Sequence, residues 1–522
     1  MTEPTPAVSA VATTPDTRYL GTATSVGTVF RGIPYARPLT GLRRWLPPEA
    51  PEPVAEVDAR APGSACHQGQ LEMGELTPLW RNTAPVGDDC LNLNVYTPDL
   101  SPARPLPVLL WFHGGGLLLG DAANPVYDGT ALGRLGIVVV TANYRLGYPG
   151  WLDLTSCFPE LADADNRGLR DQLAALDWVT RNIVAFGGDP AQITVAGQSA
   201  GACTALAVLA SPYRTAGIRR VAALSPTRTA FVPAAEQAPV ARAFCTRLGV
   251  DPGDLAGLAA APPDRIIAAQ NGVEKTLATS FDSRRYGPAA RRGWGAGIAT
   301  GTPTLPQDPI TALRAGRGGD TDLLIGTTAQ EWRFYTRMAG IPANPVSTRL
   351  LLYSLTGRLT GHRDVIRRAH RRTLNRAERH DEILTEAAFR SYAREVAAAH
   401  SSHGPTYVYR SNWSATGPLH GLGAGHTVDL PLWWNTLDSP LGRAVDGERA
   451  LGAAATALSA SFADFIRAGV PPHPAGSPWE PYRADLPAEV VLGPGDRFIG
   501  SSRRRAVGGS RRIGGGRVGD AG

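Results

Sequence analysis

The pentapeptide Gly197-Gln198-Ser199-Ala200-Gly201 sets a serine between small residues in the order G-x-S-x-G. A serine hydroxyl is a weak nucleophile until a base takes its proton, and small flanking residues allow the sharp turn that projects it toward one. Upstream, His113-Gly114-Gly115-Gly116 offers consecutive amides that no Cβ shields. Such amides can stabilise the oxyanion that forms when a serine attacks a carbonyl. Each motif alone is a common glycine turn. Together and in this order they point to acyl transfer through a covalent serine intermediate.

That chemistry needs a base and an orienting acid. Histidine titrates near neutrality, and a carboxylate fixes its tautomer and stabilises its charged form. His362, His370 and His380 fall in a charged helical stretch and are expected to be solvated, while His67 and His113 precede the serine. His420 and His426 compete most closely for the role of base. For the acid, Glu331 competes with Asp282, Asp308, Asp320 and Asp322.

The elements that must position these groups are legible as apolar runs rich in β-branched residues. Val108–Phe112, Ile137–Thr141, Ile193–Ala196 and Leu323–Ile325 read as buried parallel strands. Between the second and third, a helix is expected from about Gly168 to Ala185, stopped by Gly187-Gly188 before an Asp189-Pro190 turn. This alternation implies an α/β fold, with a mainly parallel central sheet flanked by helices. The serine follows one strand and the His-Gly-Gly-Gly loop another. In an open α/β sheet the site lies beyond the carboxyl ends of the strands, which places Asp320 and Asp322 at the wrong edge and Glu331 at the right one. From Arg349 to His400 the pattern is helical and Arg-rich, consistent with surface helices packed on the sheet layer.

Composition restricts the alternatives. Of 522 residues, 43% are apolar and 19% charged, enough for a large buried core. The net charge of +6 resides almost entirely in the stretch 500–522, where six arginines face one acid, Asp520. That stretch is expected to be a disordered Arg/Gly-rich tail, and residues 1–17 a disordered extension, around one domain spanning 18–499. With the body near neutral, no nucleic-acid partner is expected. No run approaches the roughly 20 apolar residues of a membrane span. The first seventeen residues lack a basic start followed by an apolar run, so a cytoplasmic location is expected, with secretion left open. The five cysteines lack CxxC spacing, which argues against zinc.

Blocks along residues 18–495 resemble the type-B carboxylesterases, the group that includes bacterial p-nitrobenzyl esterases and the cholinesterases. They include Phe30-Arg31-Gly32-Ile33-Pro34-Tyr35-Ala36, Asp89-Cys90-Leu91-Asn92-Leu93-Asn94-Val95-Tyr96, Asn143-Tyr144-Arg145-Leu146-Gly147 and Phe186-Gly187-Gly188-Asp189-Pro190. Further on come the serine turn, Ile325-Gly326-Thr327-Thr328 with Glu331, and Gly425-His426 with Asp429-Leu430-Pro431. The resemblance implies an α/β-hydrolase fold, hydrolysis of a small-molecule carboxylic ester without metal or organic cofactor, and a Ser199–Glu331–His426 triad. It implies oxyanion donors at Gly115, Gly116 and Ala200, and a disulfide between Cys66 and Cys90. It sets Trp80 as an aromatic substrate wall, and Arg44–Asp88 and Arg145–Asp171 as ion pairs. Two positions depart from the pattern: Gln198 replaces a glutamate, and Ser225-Pro226 replaces Ser-Gly behind the acid. The competing readings are a non-catalytic cholinesterase-like interaction protein, and a triad hydrolase acting on lactones or amides.

Overall fold

Alternate residues of the apolar runs face opposite ways, and helices cover both sides. The computed structural model of the protein describes residues 9–69, 84–280, 282–340, 342–356, 363–370, 374–447, 449–471, 479–494 and 497–500. Fifteen strands are present among them: β1 (Ser9–Thr13), β2 (Arg18–Thr24), β3 (Gly27–Pro34), β4 (Glu56–Asp58), β5 (Asn92–Thr97), β6 (Leu106–Phe112), β7 (Val138–Ala142) and β8 (Gly188–Gln198). There follow β9 (Ile218–Leu224), β10 (Phe231–Pro233), β11 (Ile298–Thr300), β12 (Asp322–Thr328), β13 (Thr406–Ser411), β14 (Ala488–Leu492) and β15 (Arg497–Gly500).

Thirteen of these form one sheet in the order β1-β2-β3-β5-β7-β6-β8-β9-β12-β13-β14-β15, with β4 paired to β2. From β7 to β14 every pairing is parallel. The outer strands on both flanks pair antiparallel, apart from β4, which runs parallel to β2. The expected α/β-hydrolase architecture is therefore present. In β6, Val108, Leu110 and Phe112 enter one hydrophobic cluster, with Leu169 and Leu176 of the helix Arg167–Asn182. Leu109 and Trp111 enter the other, with Trp434 and with Phe462 of the helix Gly452–Ala468. A strand buried on both faces reads as a continuous apolar run for this reason.

Local chemistry sets the element ends. Gly187, at φ 80°, ends the turn after the helix Arg167–Asn182. The side chain of Asp189 accepts from the Ala191 amide at 2.9 Å, and the register shifts between Leu106 and Val108 as β8 passes Asp189-Pro190. The strand thus begins at Gly188, earlier than its apolar run.

Two expectations are corrected. Residues 9–13 of the supposed disordered extension form β1, because β2 presents an unpaired edge that Ser9–Thr13 completes, with Ala12 buried. At the other end the sheet continues through Gly500 in β15, and residues 501–522 of the expected tail lie outside the described residues. The helical region is more buried than expected. It comprises Pro345–Thr356, Arg363–His370, Arg376–Thr385, a π-turn at Glu386–Arg390, and Ser391–His400. Ala388, Phe389 and Tyr392 are buried, and His380 is buried against Thr348 rather than solvated. No helix among the described residues is long and apolar enough to cross a membrane.

Candidate active site

Ser199 sits at the carboxyl end of β8, where the chain reverses into the helix Ala200–Ala210. Its backbone is left-handed, with φ 57° and ψ −121°, an uncommon conformation for a residue with a side chain. Glycine is required on both sides. A Cβ at Gly197 would collide with the backbone of Gly201, and one at Gly201 with the Phe112 carbonyl. The turn is tied down by the Ser199 amide, which donates to Leu224 O at 2.8 Å.

The carboxyl ends of β8, β12 and β13 share one edge, and all three triad candidates lie at it. Glu331 opens the helix Glu331–Ala339 just after β12, and His426 follows β13. His426 Nδ1 lies 2.5 Å from Glu331 Oε2, and both side chains are almost fully buried. The other carboxylate oxygen, Oε1, accepts from the Thr328 amide at 2.7 Å. That bond holds the acid even though Ser225-Pro226 replaces the usual second residue behind it. The rivals are elsewhere. Asp282 and Asp308 cap helix starts, Asp320 pairs with Arg214 at 2.6 Å, and Asp322 pairs with Arg220 at 3.6 Å. His420 Nδ1 is 3.2 Å from the Gly417 carbonyl.

Ser199, His426, Gly115, Gly116 and Ala200 line one cavity of about 440 Å³. Gly115 and Gly116 have φ of 115° and 65°, and a Cβ at Gly115 would strike the Leu119 carbonyl, so the loop demands glycine there. His113 braces the loop without entering the cavity. Its ring stacks on Tyr144 at 4.5 Å, its Nδ1 lies 2.8 Å from Gly114 O, and burial lowers its pKa. The remaining walls are largely aromatic and aliphatic, among them Trp151, Trp294, Trp332, Phe334 and Phe389.

Three contributors were not anticipated. Gln198 Nε2 lies 3.3 Å from His426 Nε2, so the residue that replaces a glutamate touches the imidazole directly. Tyr335 packs 5.5 Å from the His426 ring and 5.9 Å from Phe389. Burial and then the Glu331 charge raise its phenol, and a hydrogen bond with Ser199 opposes them. Phe334 and Tyr335 stand three and four residues after Glu331, so a helical start at the acid would have put them on its face. Asp429 is the third. Burial, then the Glu331 charge, push its carboxyl up to about 6, against a hydrogen bond from Trp433 Nε1 at 3.1 Å.

Cys66 and Cys90 are disulfide-bonded with Cα atoms 4.8 Å apart, while Trp80, the expected aromatic wall, lies outside the described residues. Cys203 is a packing residue behind the serine turn. Its Sγ accepts from the Thr227 amide at 3.2 Å, and burial pushes its thiol up to about 12. Among the described residues no group of three or more His, Cys, Asp or Glu is arranged to hold a metal.

The sequence profile described as the carboxylesterase family matches residues 12–493. The para-nitrobenzyl esterase of Bacillus subtilis (strain 168) is 35% identical over 413 residues, covering 78% of this chain and 79% of that protein. The phenmedipham hydrolase of Pseudarthrobacter oxydans is 30% identical over 485 residues, covering 89% and 91%. A thermophilic PNB esterase structure superposes with a TM-score of 0.81 at 29% identity, covering 94% of this chain and 98% of that one. A carboxylesterase of Geobacillus stearothermophilus gives 0.79 at 28% identity, covering 94% and 98%. With a serine turn, a histidine–glutamate pair and a glycine loop converging on one cavity of a matching fold, the chain belongs to the carboxylesterase family and is a carboxylic ester hydrolase.

Proposed function

We propose that this enzyme hydrolyses esters through an acyl-enzyme on Ser199, with His426 as general base and Glu331 as its orienting acid. The observation that carries this is the 2.5 Å contact between His426 Nδ1 and Glu331 Oε2. It holds the tautomer in which Nδ1 carries the proton, and leaves Nε2 as the basic nitrogen beside the serine turn. Ser199 Oγ attacks the ester carbonyl carbon while its proton passes to His426 Nε2. The charge that develops on the carbonyl oxygen is met by the amides of Gly115, Gly116 and Ala200, helped by the helix that starts at Ala200. His426 then gives its proton to the departing alkoxide, the alcohol leaves, and the acyl group stays on Ser199. Water repeats the sequence, releasing the acid and restoring the serine. The size and apolar walls of the cavity favour a small ester with hydrophobic or aromatic parts.

An alkyl fluorophosphonate tests the assignment. Intact-mass analysis should show one phosphonyl adduct on the wild type, mapped to Ser199, and none on a folded Ser199→Ala variant that has lost turnover. A label elsewhere, or substantial esterase activity remaining in the variant, overturns it.

A further inference from the structure

The cavity holds one carboxylate that the hydrolytic steps do not use. Glu274, on the helix Pro263–Thr279, lines the same cavity as Ser199 and His426, and among the described residues no arginine or lysine lines it. Tyr148 Oη donates to its Oε1 at 2.8 Å, and the Gly295 amide lies 3.2 Å from both carboxylate oxygens. These bonds aim the group and favour Oε1. The carboxylate as a whole keeps spare acceptor capacity.

No ion pair of Glu274 is found among the described residues. The Arg292 guanidinium also acts on it, and that side chain is paired with Glu236. Burial raises the Glu274 carboxyl, while its hydrogen bonds with Tyr148, Gly295 and Ala296 and the Arg292 charge oppose it. A carboxylate with hydrogen bonds but no ion pair, set in a largely apolar wall, gains when something positive meets it. Trp294, next to Gly295, and Trp151 line the same cavity. A carboxylate among indole rings is the combination that recognises an ammonium group.

We propose that Glu274 is a specificity-determining residue that receives a positively charged nitrogen on the substrate, so that ammonium-bearing esters are preferred over anionic ones. This rests on the acyl-enzyme reading given above. The position before the nucleophile cannot do this work, because Gln198 is a neutral amide occupied with His426. The inferred substrate is therefore a small amino ester, its ammonium at the end away from the scissile carbonyl and its remaining chain against the aromatic walls.

The test uses the full-length protein and its Glu274→Gln variant, which keeps the side chain's size. Each receives three p-nitrophenyl esters of matched length, the hexanoate, the 6-aminohexanoate and the adipate half-ester, together with pentyl and 5-aminopentyl acetate. Hexylammonium is added as a reversible competitor of hexanoate hydrolysis. In Glu274→Gln, kcat/KM for the amino ester relative to its neutral match should fall about tenfold or more for one of the two placements. That is the size expected for a hydrogen bond to a charged group. Relative to the hexanoate, the adipate half-ester should improve, and hexylammonium inhibition should weaken similarly. Equal losses on every ester, or unchanged ratios at both placements, would reduce Glu274 to a brace for Tyr148 and Gly295 and overturn the proposal. If the wild type cleaves no ester and takes no phosphonate, the acyl-enzyme reading itself fails, a different result from lost selectivity.

Discussion

Gln198 Nε2 lies 3.3 Å from His426 Nε2, on the opposite side of the imidazole from the 2.5 Å contact with Glu331. The ring is therefore held at both nitrogens: by a charged acceptor at Nδ1 and by a neutral amide at Nε2. The amide must yield Nε2 when Ser199 gives up its proton.

This asymmetry sets the first prediction. Gln198→Leu removes one neutral hydrogen bond of about 1 kcal/mol and should lower kcat by no more than roughly tenfold. A loss as severe as that of Glu331→Gln would mean that the amide, rather than the acid, fixes the imidazole. Steady-state kinetics on one neutral ester decides it.

Glu331→Gln should keep the fold and still bind substrate, yet lower turnover by orders of magnitude, since the imidazole loses the partner that stabilises its charged form. Asp308→Asn should be close to wild type, because Asp308 caps the helix Pro309–Arg314 away from the site. The reverse pattern in kcat would reassign the acid.

The two scaffold ion pairs should differ in strength. Arg145 and Asp171 are joined by contacts of 2.8 and 2.6 Å, their side chains only 2% and 0% exposed, and the Arg145 amide also donates to Asp171 at 2.9 Å. Removing one partner strands a buried charge, so Asp171→Ala should cost ~3–5 kcal/mol. The Arg44–Asp88 contact at 3.0 Å joins a buried arginine, 8% exposed, to an aspartate 32% exposed, and Asp88→Ala should cost less, ~1.5–3 kcal/mol. Urea unfolding of both variants measures the difference; equal midpoints would refute it.

Asp429 makes stability depend on pH in an unusual direction. Its native carboxyl titrates near 6, above the ordinary aspartate value, so the native state holds that proton more tightly than the unfolded chain. The resulting stabilisation is present at low pH and lost as pH rises through 6. Asp429→Asn lacks this term. Between pH 4.5 and 7.5 the stability difference should move in the variant's favour by about 2 kcal/mol. A pH-independent difference would show that Asp429 is not protonated in the native state in this range.

Much of this enzyme was legible in its residues alone. Short continuous β-branched runs fit strands covered on both faces, and small residues around Ser199 fit a tight turn. The strand Leu323–Ile325 placed Glu331 at the productive edge, and the family resemblance singled out His426. The chain also carried the Arg145–Asp171 and Cys66–Cys90 pairings as family-like positions. What it could not convey was which side chains from distant segments meet. The span 349–400 looked like a charged surface because helical periodicity counts polarity but not what each face covers; the π-turn at Glu386–Arg390 brings Phe389 to the cavity wall. Ser9–Thr13 is too short and too rich in small residues to announce a strand, and becomes one because β2 has a free edge. Glu274, Tyr335 and Gln198 acquired their roles in the same way. A carboxylate, a phenol or an amide has no functional identity along the chain, and only tertiary packing decides which charge, ring or nitrogen each one faces.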